Sequence, residues 1–407
     1  MLVIAAPGQG AQTPGFLTPW LDLPGIADRL AGWSDLAGCD LIRYGTTAGA
    51  EEITDTAIAQ PLLVAAAIAA AEVLCGGAAT NEHSGDLGKI RRQAVIAAGH
   101  SVGELAAGTI AGVLTPEDAM RLVGVRARAM AKAAAAEATG MTAVLGGDQD
   151  EVLAALAAHG LTPANVNGAG QIVAAGTMAQ LDALAADPPA GARLRPLTVA
   201  GAFHTDHMAP AVDALREAAA SVTVRDPGIV LLSNADGAAV KSGRDWLERI
   251  VTQVSTPVRW DQCMGTMSGL GASALIELPP GGTLAGLARR ALPDVARAAL
   301  KTPDDLEAAR ALLAEHGTPE HHYAGHDPEW RLLVARVGGT FRTGDAGQHA
   351  VPGAHVRPGA PLGHVQARSG QEPVTTGFPA VILEWLVEDG DPVAAGQPLV
   401  RLQPETA

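Results

Sequence analysis

The chain has 407 residues, 48% of them hydrophobic but only 3% aromatic, and carries a formal net charge of −15. At roughly 100–200 residues per folding unit, this length predicts two to three units whose cores rest on Ala, Leu and Val. The acidic balance excludes a nucleic-acid partner, because phosphate binding needs a basic face; an anionic substrate needs a local basic pocket.

Taken in chain order, MLVIAAPGQGAQ begins with a strand, Leu2–Ala6, that runs into a glycine-rich turn. It has no basic segment and breaks at Pro7-Gly8, so it does not read as a signal peptide. The Ala-rich run from Ile58 to Ala79 has nearly the apolarity of a membrane span. Gln60, Pro61 and Glu72 interrupt it, and Ala is weakly apolar, so a buried helix is expected and no membrane. A strand at Ala94–Ala98 precedes helices at Val102–Ala111 and Pro116–Ala138. Further on come a helix at Pro210–Ala220, strands at Ile229–Ser233 and Ala274–Leu278, and a helix at Pro303–His316 closed by Gly317. This alternation reads as α/β with a mostly parallel sheet over residues 1–138 and 200–317.

Residues 139–199 read differently. A strand (Met141–Leu145), a helix (Asp150–Ala158), two strands around Asn165 and Ile172, a helix (Met178–Ala186) and a strand (Leu194–Val199) give the βαββαβ order of a ferredoxin-like subdomain inserted into the larger one. After Gly317 the polar stretch TPEHHYAGHDPEW forms a linker over 318–331. Its His321, His322 and His326 lack the spacing of a metal site. The cysteines 39, 75 and 263 are scattered, as free thiols of a reducing, cytoplasmic compartment are. Within 332–407, GAHVRPGAPL (353–362) and GDPVAAGQPL (390–399) both fit G-x-x-V-x-x-G-x-P-L. Each copy is a strand, a glycine turn and a strand. Neither buries its apolar face alone, so two interlocked copies are expected.

Chemistry concentrates in AAGHSVGELAAG (97–108), where a buried strand turns sharply into a helix. A serine at such a turn projects its Oγ out of the sheet, and small neighbours such as Gly99 and Gly103 permit the geometry. The helix N-terminus adds a free N–H and a positive dipole end for an oxyanion. The glycine-rich turn at Gln9 is placed to offer a second N–H. A plain helix-capping serine fits the pentapeptide as well. A base is available in VAGAFHTDHM (199–208), at His204 or His207, which the sequence does not separate. No Asp or Glu stands out as an orienting acid, so a dyad and a triad both remain open.

Eight ordered blocks narrow this. PGQGAQ (7–12), TAIAQPLL (56–63), GHSVGE (99–104), LVGVRARAM (122–130), NVNGAGQIVAAG (165–176), GAFH (201–204), QVSTPVRW (253–260) and ELPPGGTL (277–284) resemble the malonyl-CoA:acyl carrier protein transacylase family over the first ~315 residues. The resemblance implies a hydrolase-like subdomain plus the ferredoxin-like one, with the active site between them. It implies Ser101 as nucleophile, His204 as base, the Gln253 main-chain carbonyl as its orienter, and the N–H groups of Gln9 and Val102 as the oxyanion hole. Arg126 takes the place of the arginine that grips the malonyl carboxylate, with Gln60, His100 and Asn167 around the substrate. Phe203 takes the place where, in polyketide relatives, Phe goes with malonyl and smaller residues with branched units. Malonyl-CoA and acyl carrier protein are the implied partners, no cofactor is implied, and Arg193, Arg195, Arg289 and Arg290 are candidates for a basic docking patch. A serine esterase, which leaves Arg126 without a role, and a non-catalytic scaffold are the rival readings.

Residues 332–407 resemble a biotinyl/lipoyl domain, an all-β barrel-sandwich whose hairpin carries a modified lysine. The matching stretch is Gln366-Ala-Arg-Ser-Gly370, so Ser369 stands at the lysine position, and no lysine follows Lys301. The region is therefore expected to be a docking or structural module without biotin or lipoate, its partner unknown; a carboxylase or synthase component is one candidate.

Overall fold

The computed structural model describes residues 1–76, 87–93, 95–199, 201–317, 331–343, 353–367 and 370–404. Chain contacts divide it into two units, Met1–His322 and Tyr323–Ala407. The first is built on a six-stranded sheet in the order Ala296–Ala299, Ala274–Glu277, Leu2–Ala6, Val95–Gly99, Val230–Leu232 and Ala239–Val240. Its neighbours are parallel except the last pair, which is antiparallel. Leu2, Ile4 and Ala6 pack into one core, and Met1, Val3 and Ala5 into the core on the opposite face. Burial on both faces is why these strands read as unbroken apolar runs. Ala94 lies outside the described residues, and the strand there is Val95–Gly99.

The expected buried helix is Thr56–Leu74, and 89% of its most apolar window is buried within the protein although its length and composition would suit a membrane. Its neighbour Pro116–Ala134 stops four residues short of the expected Ala138. The alanines continue the helical propensity, but the chain must turn to begin the strand at Thr139. Tertiary demand overrides propensity here.

Over 139–199 the strands Ala192–Pro196, Thr139–Gly146, Gln171–Thr177 and Thr162–Gly168 lie side by side in that order, all antiparallel. Val144, Ile172 and Ala174 meet Val152, Leu156, Leu181 and Leu184 of the helices Gln149–Ala158 and Met178–Ala186. The last strand ends at Pro196 instead of Val199. The next N–H, of Leu197, still reaches the Met141 carbonyl. This sheet is not closed within the insertion: Val258–Arg259 adds a fifth strand, parallel to Thr162–Gly168. A two-residue strand has too few positions to show an alternating pattern.

The second unit consists of two four-stranded antiparallel sheets. One holds Arg331–Val334, Pro398–Pro404, Ala380–Trp385 and His355–Val356; the other holds Gly370–Thr375, Pro361–Ala367, Gly339–Arg342 and Pro392–Val393. The two repeat copies exchange strands: His355–Val356 pairs with Ala380–Trp385, and Pro392–Val393 with Gly339–Arg342. Equivalent glycines turn with matching positive φ, Gly353 at 90° and Gly390 at 97°, Gly359 at 77° and Gly396 at 85°. Val356 and Val393, Leu362 and Leu399 all enter the shared core. Arg331, expected at the end of the linker, already belongs to a strand. The histidines 321, 322 and 326 and Ser369 lie outside the described residues.

Candidate active site

Ser101 follows the strand Val95–Gly99 and precedes the helix Gly103–Ala111. Its φ is +53°, a left-handed value that costs a non-glycine residue about 1–3 kcal/mol. The flanking glycines make the turn sterically feasible. A Cβ at Gly99 would lie 2.0 Å from the Gly103 carbonyl carbon, and one at Gly103 would lie 2.3 Å from the Ala6 oxygen. The turn is fastened to the first strand by the His100 N–H, which donates to the Ala6 carbonyl at 2.9 Å.

Ser101 Oγ lies 2.7 Å from His204 Nε2, and His204 Nδ1 lies 2.7 Å from the Gln253 main-chain oxygen. A carbonyl can only accept, so Nδ1 carries the proton and Nε2 is left to accept from the serine. Burial, then the nearby Arg126 charge, pushes His204 down to about 3, so the ring is neutral at physiological pH and its Nε2 lone pair is free to accept a proton. His207 points elsewhere, to Glu137 at 2.8 Å. The backbone oxygen occupies the orienting place, and no carboxylate contacts His204 among the described residues.

A cavity of about 410 Å³ opens on this pair, bounded by Gln9, Gln60, Asn167, Phe203 and Leu284 among others. The Gln9 side chain is tied to the Thr54 carbonyl and the Thr56 hydroxyl at 3.3 and 3.2 Å, which fixes the loop carrying its N–H. Among the described residues, the N–H groups of Gln9 and Val102 donate to no protein acceptor. His100 Nε2 meets Asn167 Oδ1 at 2.8 Å, and its ring stands edge-on to Trp260. Phe203 is 6% exposed and lines the cavity beside His204.

Arg126 is 1% exposed and lies behind Gln60, outside the cavity lining. Its Nη1 donates to Gln60 Oε1 at 2.6 Å and its Nη2 to Gln253 Oε1 at 2.9 Å, while Nε has no hydrogen-bond partner. Burial lowers its pKa to about 10, which leaves it a cation. A buried cation facing neutral amides, with one donor unspent, is left without a counter-charge in direct contact.

The acyl transferase domain family matches residues 7–316 of this chain.

The chain belongs to the acyl transferase domain family.

Within that family, the malonyl CoA-acyl carrier protein transacylase of Mycobacterium tuberculosis (strain H37Rv) is 52% identical over 307 residues, 75% of this chain and 98% of that protein. The Escherichia coli (strain K12) protein of the same name is 33% identical over 313 residues, 75% of this chain and 97% of its own. Among solved acyl transferases, the MCAT of Mycobacterium tuberculosis superposes with TM-score 0.70 at 51% identity, covering 76% of this chain and 99% of that one. A malonyl-transacylase in complex with its type II PKS acyl-carrier protein superposes with TM-score 0.67 at 29% identity, covering 76% and 99%.

The structure gathers Gln9, Gln60, His100, Ser101, Val102, Asn167, Phe203 and His204 around one cavity and sets Arg126 and Gln253 directly behind it. It also brings in two acyl transferase residues to which the sequence assigned no role. Glu104, 2% exposed, accepts from the Asn234 N–H at 3.0 Å and from Gln253 Nε2. Burial pushes its carboxyl up to about 8. Asn234, fully buried, contacts the turn itself. The signal for Glu104 was its place in GHSVGE: an acid in the first turn of a largely apolar helix that opens just after Ser101. Asn234 had none. Among the described residues no group of three or more His, Cys, Asp or Glu could hold a metal, and Cys39, Cys75 and Cys263 are buried.

Proposed function

We propose that this acyl transferase moves the malonyl group from malonyl-CoA to the phosphopantetheine thiol of acyl carrier protein, for fatty acid or polyketide synthesis. The supporting observation is one cavity whose wall carries the Ser101–His204–Gln253 line and whose rear holds the buried Arg126 cation. The names of the relatives agree with it. The malonate carboxylate takes the place of an amide on Arg126, by displacing the Gln60 side chain. His204 Nε2 accepts the Ser101 proton as Oγ attacks the thioester carbonyl. The oxyanion rests on the N–H groups of Gln9 and Val102, each worth about 10²–10³ in rate. The C–S bond breaks, CoA leaves with the proton from His204, and a malonyl-serine ester remains. The carrier thiol then gives its proton to His204 and attacks that ester, and Ser101 recovers its hydrogen. The kinetics are ping-pong. No cofactor enters this scheme.

Carrier docking is assigned to the mouth of the same cavity. Arg193 and Arg195 pair in register with Leu145 and Ala143, which pair in turn with Gln171 and Val173 of the cavity lining. In-register residues share a sheet face. Arg290, from the helix Thr283–Ala291 whose first turn lines the cavity, donates to Gln171 Oε1 at 3.3 Å. This basic rim on a chain of net charge −15 suits an acidic, phosphate-bearing partner.

The large sheet and the four-stranded insertion support the hydrolase-like and ferredoxin-like assignments. The strand exchange in Tyr323–Ala407 supports a biotinyl/lipoyl-like barrel-sandwich. With no lysine after Lys301, that unit serves as a docking or structural module for a further protein. Buried thiols suit a reducing compartment and support a cytoplasmic reading. The deciding experiment is intact mass after mixing with malonyl-CoA. A one-malonyl adduct that moves to added carrier protein supports the reading, steady hydrolysis points to an esterase, and no adduct points to a scaffold.

A further inference from the structure

We propose that Asn234 is a positioning residue that holds the nucleophile turn from beneath, an inference that rests on Ser101 being the nucleophile. One side-chain amide brackets the turn: Oδ1 accepts from the Ser101 N–H at 2.7 Å and Nδ2 donates to the Gly99 carbonyl at 2.8 Å. The residue between those two contacts is His100, so the amide spans the tightest part of the bend.

The main chain of Asn234 is held just as firmly. Its N–H donates to Glu104 Oε1 at 3.0 Å, and its carbonyl accepts from the Arg259 N–H at 2.8 Å. Asn234 is 0% exposed and follows the strand Val230–Leu232, which is parallel to and paired with Val95–Gly99. Strand pairing therefore carries the amide to the end of the nucleophile strand. A buried polar group with every atom satisfied defines one geometry, whereas a lost partner leaves donors and acceptors stranded.

Two consequences follow for the reaction. The left-handed Ser101 backbone is stabilised at both flanks, so Oγ stays within reach of His204. The Ser101 N–H is drawn away from the cavity into the protein, which leaves the oxyanion to Gln9 and Val102. Glu104 and Gln253 complete the support, because Gln253 Nε2 donates to the Ser101 carbonyl at 3.2 Å as well as to Glu104.

The test compares the full chain with Asn234→Ala and Asn234→Asp by two rates. One is malonyl-enzyme formation in a single turnover. The other is sulfonylation of Ser101 by phenylmethylsulfonyl fluoride, a neutral electrophile that needs neither CoA nor Arg126. Asn234→Ala is expected to slow both by about 10²-fold, the cost of a small misplacement, with KM for malonyl-CoA changed by less than about threefold. Asn234→Asp keeps an acceptor for the Ser101 N–H and is expected to recover to within about tenfold of the parent. Sulfonylation at the parent rate in a folded Asn234→Ala chain overturns the proposal, as does equal slowing by the two variants. Should the alanine chain not fold, Asn234→Thr takes its place with the same expectations. The sulfonylation arm reads the free Ser101 hydroxyl whichever acyl group the enzyme transfers, so a failure of malonyl transfer itself is seen separately in the parent protein.

Discussion

Ser101 and His204 meet at 2.7 Å with both backbones in the left-handed region, φ +53° and +61°. Neither is a glycine, so two strained turns face each other across the cavity, each held by buried hydrogen bonds. The His204 N–H donates to the Val254 carbonyl at 3.1 Å, and its ring to the Gln253 carbonyl. Such strain persists only where the surroundings over-determine it. Replacing Ser101 by Ala is expected to abolish the malonyl adduct. His204→Ala is expected to slow adduct formation by about 10²–10⁴-fold, the usual share of a general base. Single-turnover mass measurements check both.

The same burial sets the acid limb of activity. Burial pushes His204 down to about 3 from the ordinary imidazole value of 6.5, which the unfolded chain keeps. Acylation is therefore expected to stay level from pH 7 down to about 5, and a decline centred near 6.5 would contradict the assignment. The sign for stability follows from proton counting. Between 6.5 and about 3 the unfolded chain binds the proton and the folded one does not, so the His204 contribution is lost as pH falls through that window. Urea midpoints of the parent should fall more steeply with acid than those of His204→Gln.

Arg126 is expected to decide which acyl group is accepted. With its Nε unpaired and its Nη groups on two amides, it gains most from a carboxylate. An acetyl group offers none, and an unpaired buried charge costs roughly 3–5 kcal/mol. Arg126→Ala is expected to lose malonyl transfer by about 10²-fold or more and to raise the acetyl share in a competition assay.

Phe203 borders the cavity next to His204, and it is expected to fill the space a branched acyl unit needs. Phe203→Ser is expected to admit methylmalonyl-CoA, raising its kcat/KM relative to malonyl-CoA by about tenfold, in keeping with the small energy of one methyl group. Equal use of both esters by the parent protein would remove this role.

Charge reversal at the rim tests carrier docking. Arg195→Glu with Arg290→Glu is expected to raise KM for carrier protein by about tenfold at low salt, with a smaller effect at high salt, and to leave malonyl-enzyme formation unchanged. Equal KM values for variant and parent at low salt would move the docking surface elsewhere.

Local pattern was enough for much of this molecule. The run Val95–Gly99 followed by His-Ser-Val-Gly carries its own turn, because glycines on either side are all that the close backbone approach tolerates. The repeat of the second unit was legible for a similar reason: its four turn glycines need positive φ, and its valines and leucines need burial. The fifth strand at Val258–Arg259 and the helix end at Ala134 were not legible, since neither a two-residue pairing nor the need to reverse direction leaves a periodic trace.

From the amino-acid order alone came the expectation of Ser101 as nucleophile, the family resemblance, and the absence of lysine beyond Lys301. The shielding of Arg126 behind Gln60, the turning of His207 away to Glu137, and the service of Asn234 and Glu104 under the turn came only from the packed chain. The contacts that make the site join residues 103, 133 and 152 positions apart. A short stretch of sequence dictates the bend of its own backbone. Which distant side chains meet there is decided by how sheets and helices stack to bury their apolar faces.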